Sequence, residues 1–149
     1  MQFRVYYEDT DCGGIVYHTN YIKYCERARS ELFFSHNTLP SLDTCGFVVS
    51  AIDAKFLGFA KLGDVLWVHT QAQKLGRVQI LLRQRIYILP TQPHISPLPQ
   101  QQPTQDILQE KSCIFDALVR MGYVNVATQQ PAQIPQSFVD ILATLVPNF

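Results

Sequence analysis

The chain has 149 residues, 47% of them hydrophobic and 16% charged, with 12 basic residues balanced by 12 acidic ones. That length fits one domain with its own core, and zero formal charge lacks the basic excess of an electrostatic nucleic-acid binder. The charged fraction falls below the roughly 25% usual for soluble domains, which excludes disorder for most of the chain and suggests surface buried in an oligomer.

Phe3, Val5 and Tyr7 alternate with Arg4, Tyr6 and Glu8, the period of a strand. Asp9 to Tyr17 holds Gly13 and Gly14 and reads as a loop or turn. From about His18 to Phe34 the period becomes helical, with Tyr21, Tyr24, Cys25, Ala28 and Leu32 on one face and no Gly or Pro between them. Three strands are expected next, over 47–57, 64–74 and 78–88. The last is the clearest, with Val78, Ile80, Leu82, Ile86 and Ile88 opposite Gln79, Arg83 and Arg85. Prolines 90, 93, 97, 99 and 103 among repeated glutamines mark an exposed insertion at about 90–110. Strand alternation returns over 111–125. Phe138, Ile141, Leu142, Leu145 and Val146 then make a helical stripe that starts near Pro135.

This order, with short links between the later strands, predicts a single α+β domain over 1–149 in which one long helix packs on an antiparallel sheet. Met1 to Asp11 has no continuous apolar core of a signal peptide, and no run approaches the roughly 18 apolar residues of a membrane span. A cytoplasmic location is therefore expected. Cys12, Cys25, Cys45 and Cys113 are scattered, with no metal-ligand spacing, and read as reduced thiols.

Polar and glycine residues concentrate between the first strand and the helix, in RVYYEDTDCGGIVYHTNYIKYCERAR. Asp9 and Asp11 are turn or cap residues on one reading; a cation-binding DxD is disfavoured, because no nucleotide-binding α/β sheet accompanies it. Cys12 beside His18 is a structural thiol more readily than a nucleophile, since no orienting third residue is evident. The Gly-Gly pair lacks dinucleotide spacing but permits close backbone approach where a helix begins. Free N–H groups there suit a carbonyl oxygen that becomes negative, and the Asp11 carboxylate can sit across from them. That pairing is what acyl transfer requires.

The pattern D-T-D-x-G-G-x-V-Y-H-x-N-Y…E-R-A-R closely resembles the YbgC-type acyl-CoA thioesterases, in the 4-hydroxybenzoyl-CoA thioesterase group of the hotdog fold. The resemblance is dense over about the first thirty-five residues and thinner downstream. It implies a long central helix wrapped by a five-stranded antiparallel sheet with a C-terminal helix, and dimers that pair into tetramers. It places the catalytic carboxylate on Asp11 and the N–H that receives the thioester carbonyl on His18. Tyr7 is similar to a tyrosine lining the site, or is an ordinary strand aromatic. The His18 side chain positions substrate or water, carries a proton, or caps the helix. Gly14, Val16 and Tyr17 are expected against the substrate.

The implied chemistry is hydrolysis of an acyl-CoA, with Asp11 as nucleophile or as general base, without metal or cofactor. CoA phosphates need cations, for which Lys55, Lys61, Arg77, Arg83 and Arg85 are candidates beside the reading of solvated surface charges. Two departures bear on the pocket. Gly58-Phe59-Ala60-Lys61 stands where the family has a proline-containing turn, and the Pro/Gln-rich insertion replaces a short connection. The rival class is a non-catalytic acyl-CoA or acyl-carrier-protein binding module on the same fold, docking at the inner membrane surface through its last helix. A hydroxyacyl dehydratase is weaker, because no matching His motif is found.

Overall fold

The computed structural model describes residues 1–90, 103–105, 108–109 and 112–147. Of the insertion expected at about 90–110, residues 90, 103–105 and 108–109 are among them and the rest lies outside the described residues. In chain order the elements are β1 (Gln2–Arg4), a 3-10 turn (Tyr7–Asp9), α1 (His18–Phe34), β2 (Ser41–Leu42), β3 (Cys45–Phe56), β4 (Val65–Leu75), β5 (Gln79–Ile88), β6 (Cys113–Asn125), β7 (Gln130–Pro131) and α2 (Gln136–Ala143). The strands form one curled antiparallel sheet in the order β1-β4-β5-β6-β3-β2, with β7 paired to the end of β6. The five expected strands are β1 and β3 to β6; β2 and β7 are two-residue additions. None of the helices described is long and apolar enough to cross a membrane.

Three local expectations change. The first strand stops at Arg4, because the Asp9 carboxylate takes the Tyr6 N–H at 2.8 Å and curls the chain into the 3-10 turn, which removes Tyr7 from the strand. The short link after β3 does not make a hairpin with β4. Leu57 and Gly58 donate to the Ile114 carbonyl of the β6 edge, while Ala60 and Lys61 pair with the loop before α1. The last helix stops at Ala143, short of Leu145 and Val146, and the Leu145 carbonyl accepts the Ala72 N–H of β4 at 2.9 Å.

The chain divides into two compact units. The first comprises Met1–Ala28, Ala54–His69 and Arg85–Asp116. Its core is aromatic: Tyr21 stacks on Phe115 with centroids 5.6 Å apart, Phe56 meets Phe115 edge-on at 5.3 Å, and Phe3 covers Tyr24 at 5.4 Å. The second comprises Arg29–Asp53, Thr70–Gln84 and Ala117–Phe149. There Phe138 of α2 meets Phe33 at 5.3 Å and Tyr123 at 6.1 Å, over buried Ile80, Leu82 and Val119. Period two along β5 also turns Gln84 into this core. It is fully buried, with its amide taking an Arg29 N–H at 2.7 Å and donating to Thr70 at 2.9 Å.

Candidate active site

The site belongs to the first unit and begins as a tight loop. Thr10 and Val16 face each other in an antiparallel bridge, the Asp11 N–H donates to Ile15 at 2.9 Å, and Gly14 returns a bond to the Asp11 carbonyl at 3.0 Å. Gly14 turns the chain with φ +79°, a conformation open to glycine at little cost. The Asp11 Oδ1 accepts the Gly13 N–H at 2.8 Å, so the carboxylate is held by the turn it starts. The loop is tied to the segment after β3 through the Val16 N–H on the Ala60 carbonyl, at 2.8 Å, and the Ile15–Lys61 bridge.

The loop runs directly into α1. The Asp9 carbonyl accepts both the Tyr17 N–H and the Asn20 side-chain amide, each at 2.9 Å. His18 is the first helical residue and is exposed. Among the described residues no acceptor bonds the backbone N–H of His18 or Thr19, so the positive end of the helix presents donors outward. The His18 ring packs edge-on against Tyr17 at 4.6 Å and Phe56 at 6.1 Å. One turn further, the buried Tyr21 hydroxyl accepts the Ala60 N–H at 3.0 Å.

The charges of the loop act on the first turns of α1. Burial pushes the Tyr21 phenol above its ordinary range; the Ala60 N–H opposes the shift, and the Asp64 and Asp11 charges add to it. Tyr24, one turn along, is pushed up strongly by its own burial and then by the neighbouring Asp9 carboxylate. The unit thus holds the Asp11 carboxylate in the loop, first-turn N–H groups with no acceptor among the described residues, and a wall of His18, Phe56, Tyr21 and Phe115. Such an arrangement can polarise a carbonyl and attack it, or activate water against it.

The sequence-predicted residues Asp11, Gly14, Val16, Tyr17 and His18 all lie at this loop–helix junction. Val16 is buried, whereas Tyr17 and Gly14 are exposed. Tyr7 stands in the 3-10 turn, 82% exposed. Lys55 precedes Phe56 in β3, so alternation turns its side chain away from the aromatic wall. Arg85 pairs with Asp116 at 3.4 Å, and Lys61 is bridged to the loop by its backbone. Arg77 and Arg83 belong to the second unit; the Arg77 carbonyl accepts the Ile134 N–H. Sequence reasoning missed Phe56, Ala60 and Asn20. Only the H-x-N-Y spacing signalled Asn20, and the other two depend on where the segment after β3 travels.

Comparison with known proteins gives three further findings. The family model described as "Thioesterase superfamily" matches residues 13–92. The chain is 41% identical over 145 residues to the Helicobacter pylori protein named acyl-CoA thioesterase YbgC, covering 97% of this chain and 100% of that relative. Its fold is similar to a Synechocystis 1,4-dihydroxy-2-naphthoyl-CoA thioesterase, with TM-score 0.76 and 16% identity over 97% of this chain and 95% of that one. It is also similar to a Staphylococcus aureus protein solved in complex with CoA, with TM-score 0.73 and 16% identity over 100% and 85% of the two chains.

Proposed function

The chain belongs to the thioesterase superfamily, and from that membership we propose that it hydrolyses acyl-CoA thioesters to free acid and CoA. The observation that carries the reading is the Asp11 carboxylate, held by the Gly13 N–H in the loop that leads into the open first turn of α1. The thioester carbonyl lies on the His18 backbone N–H, and negative charge grows on its oxygen as the tetrahedral intermediate forms. One preorganised donor of this kind is worth about 2.7–4 kcal/mol, against about 0.3–1 kcal/mol for the helix dipole at an exposed end. The geometry of that single N–H therefore outweighs the general field of the helix.

Asp11 completes the reaction in one of two ways. As nucleophile, a carboxylate oxygen bonds to the acyl carbon and the C–S bond breaks; CoA leaves as thiolate, and water then opens the mixed anhydride. As general base, it takes a proton from water while that water attacks the same carbon; the C–S bond then breaks and the leaving CoA thiolate takes the proton from Asp11. Gly14, Val16 and Tyr17 shape the carbonyl end of the site, and Tyr7, His18 and Phe56 border the substrate. Lys55, whose side chain leaves the aromatic wall, is the candidate of this unit for the CoA phosphates. The reading includes a cytoplasmic location and a homo-oligomer, a dimer or pair of dimers. The exposed apolar side chains of β3 support the assembly.

Thiol release from a panel of short, long and aromatic acyl-CoA compounds tests this. Wild-type protein is expected to release CoA from at least one member, and Asp11→Asn to lose about 10²–10⁴-fold in rate. Binding without turnover across the panel would replace the enzyme with an acyl-CoA binding module. Full activity in Asp11→Asn would remove the role assigned to that carboxylate.

A further inference from the structure

We propose that Asn20 is a positioning residue for this reaction: its side-chain amide locks the Asp11 loop to the first turn of α1. It thereby sets the carboxylate against the His18 N–H. The inference rests on the thioesterase reading for its consequence and on the geometry alone for the lock.

Asn20 is the third residue of α1 and only 6% exposed. Asparagine is a weak helix former, so the helix itself gives no reason for it. A buried amide is unfavourable unless bonded, and this one donates to the Asp9 carbonyl at 2.9 Å, eleven residues back along the chain. The same carbonyl holds the Tyr17 N–H. The peptide linking Asp9 to Thr10 is thus held both by the residue before the helix and by a side chain within it.

The loop beyond that peptide is closed on itself. The Asp11 N–H is bonded to Ile15, its carboxylate takes the Gly13 N–H, and Thr10 bridges Val16. A closed loop moves as a body, so its orientation is set at its joints. One joint is the chain of bonds from Val16 to Ala60 to the Tyr21 hydroxyl. At the Asp11 end Thr10 is bonded back to the Tyr7 carbonyl, and the Asp9 carbonyl is held by the Tyr17 N–H and by Asn20, whose amide is the side-chain bond from within the helix. Without that donor the loop pivots about the Ala60 joint and the carboxylate drifts from the helix start. Displacements of this kind are costly in rate, because attack needs the reacting atoms aligned at contact distance.

The test uses Asn20→Ala and Asn20→Ser, neither of which can reach the Asp9 carbonyl with an amide, and reads two quantities. Amide hydrogen exchange at Asp11, Gly13, Gly14 and Tyr17 is expected to accelerate about tenfold or more, while amides of β4 and β5 keep wild-type protection. With the most active acyl-CoA, kcat is expected to fall about tenfold or more and KM to stay within about twofold. A purely structural role predicts the opposite: lower global protection and unchanged kcat per folded molecule. Wild-type exchange in the loop, or unchanged kcat in either folded variant, overturns the proposal. If no acyl-CoA is turned over by the wild type, the thioesterase reading falls; the exchange experiment then decides the lock by itself.

Discussion

A Cβ on Gly13 would stand 3.1 Å from the Asp11 carboxylate, whereas one on Gly14 would meet no atom within 4 Å. Adjacent glycines thus serve different needs. Gly14 is required by its left-handed φ of +79°, and Gly13 by the side chain it must accommodate. Gly14→Ala is expected to cost about 1 kcal/mol of stability through backbone strain, read as a lower midpoint in urea melts. Gly13→Ala displaces the carboxylate without imposing left-handed strain, so kcat should fall more than the melting midpoint does. Kinetics and melts on both variants check the contrast; equal loss of rate in the two would contradict it. The Gly-Gly pair was legible in the sequence as a place of close approach, but which glycine faced the carboxylate was not. That depends on the turn closing through the Asp11 carbonyl.

Helix α1 illustrates how far periodicity reaches. Its span over 18–34 and its apolar face follow from 3.6-residue spacing, because burial of that stripe needs only the local pattern. Its polar partners do not follow. Arg29 reaches Gln84 across 55 residues of sequence, and Gln84 continues to Thr70. Gln84→Leu keeps a side chain of related size but ends both bonds and leaves the Arg29 charge beside an apolar group. It is expected to destabilise the protein by about 1–3 kcal/mol, measured by denaturant unfolding; a neutral result would show that Arg29 is satisfied by its other contacts. The failures at element ends have the same origin. Tyr7 leaves the strand because Asp9 captures a nearby N–H, and α2 stops early because the Leu145 carbonyl receives a β4 donor. Short-range alternation carries no information about either competitor.

At the scale of the molecule, β3 stands apart from the other long strands. Val48, Val49, Ile52 and Phe56 are exposed, and among the described residues the strand pairs with β6 on one side and with the two residues of β2 on the other. A long apolar edge invites another strand, and a second copy of this chain would offer an antiparallel partner by two-fold symmetry. Sedimentation of the purified protein is expected to give a dimer or a multiple of it. Val49→Lys combined with Ile52→Lys should shift the protein toward monomer as it is diluted. A wild-type monomer at all concentrations would rule this pairing out. The low charged fraction of the chain agrees with such an interface but does not say which strand provides it.

By itself the sequence determined the α+β class, the long helix, the main strands and the polar, glycine-rich segment between Asp9 and His18. Each of these is written in local spacing or in a contiguous motif. The tertiary structure alone decided that β3 pairs with β6 rather than β4. It also decided that Phe56 and Ala60 come to the helix start, and that Asn20 and Tyr21 hold the loop from two sides. Those outcomes depend on hydrogen bonds between residues eleven to several dozen positions apart. A backbone donor goes to whichever acceptor the folded chain brings within reach, and spacing along the chain does not encode that choice.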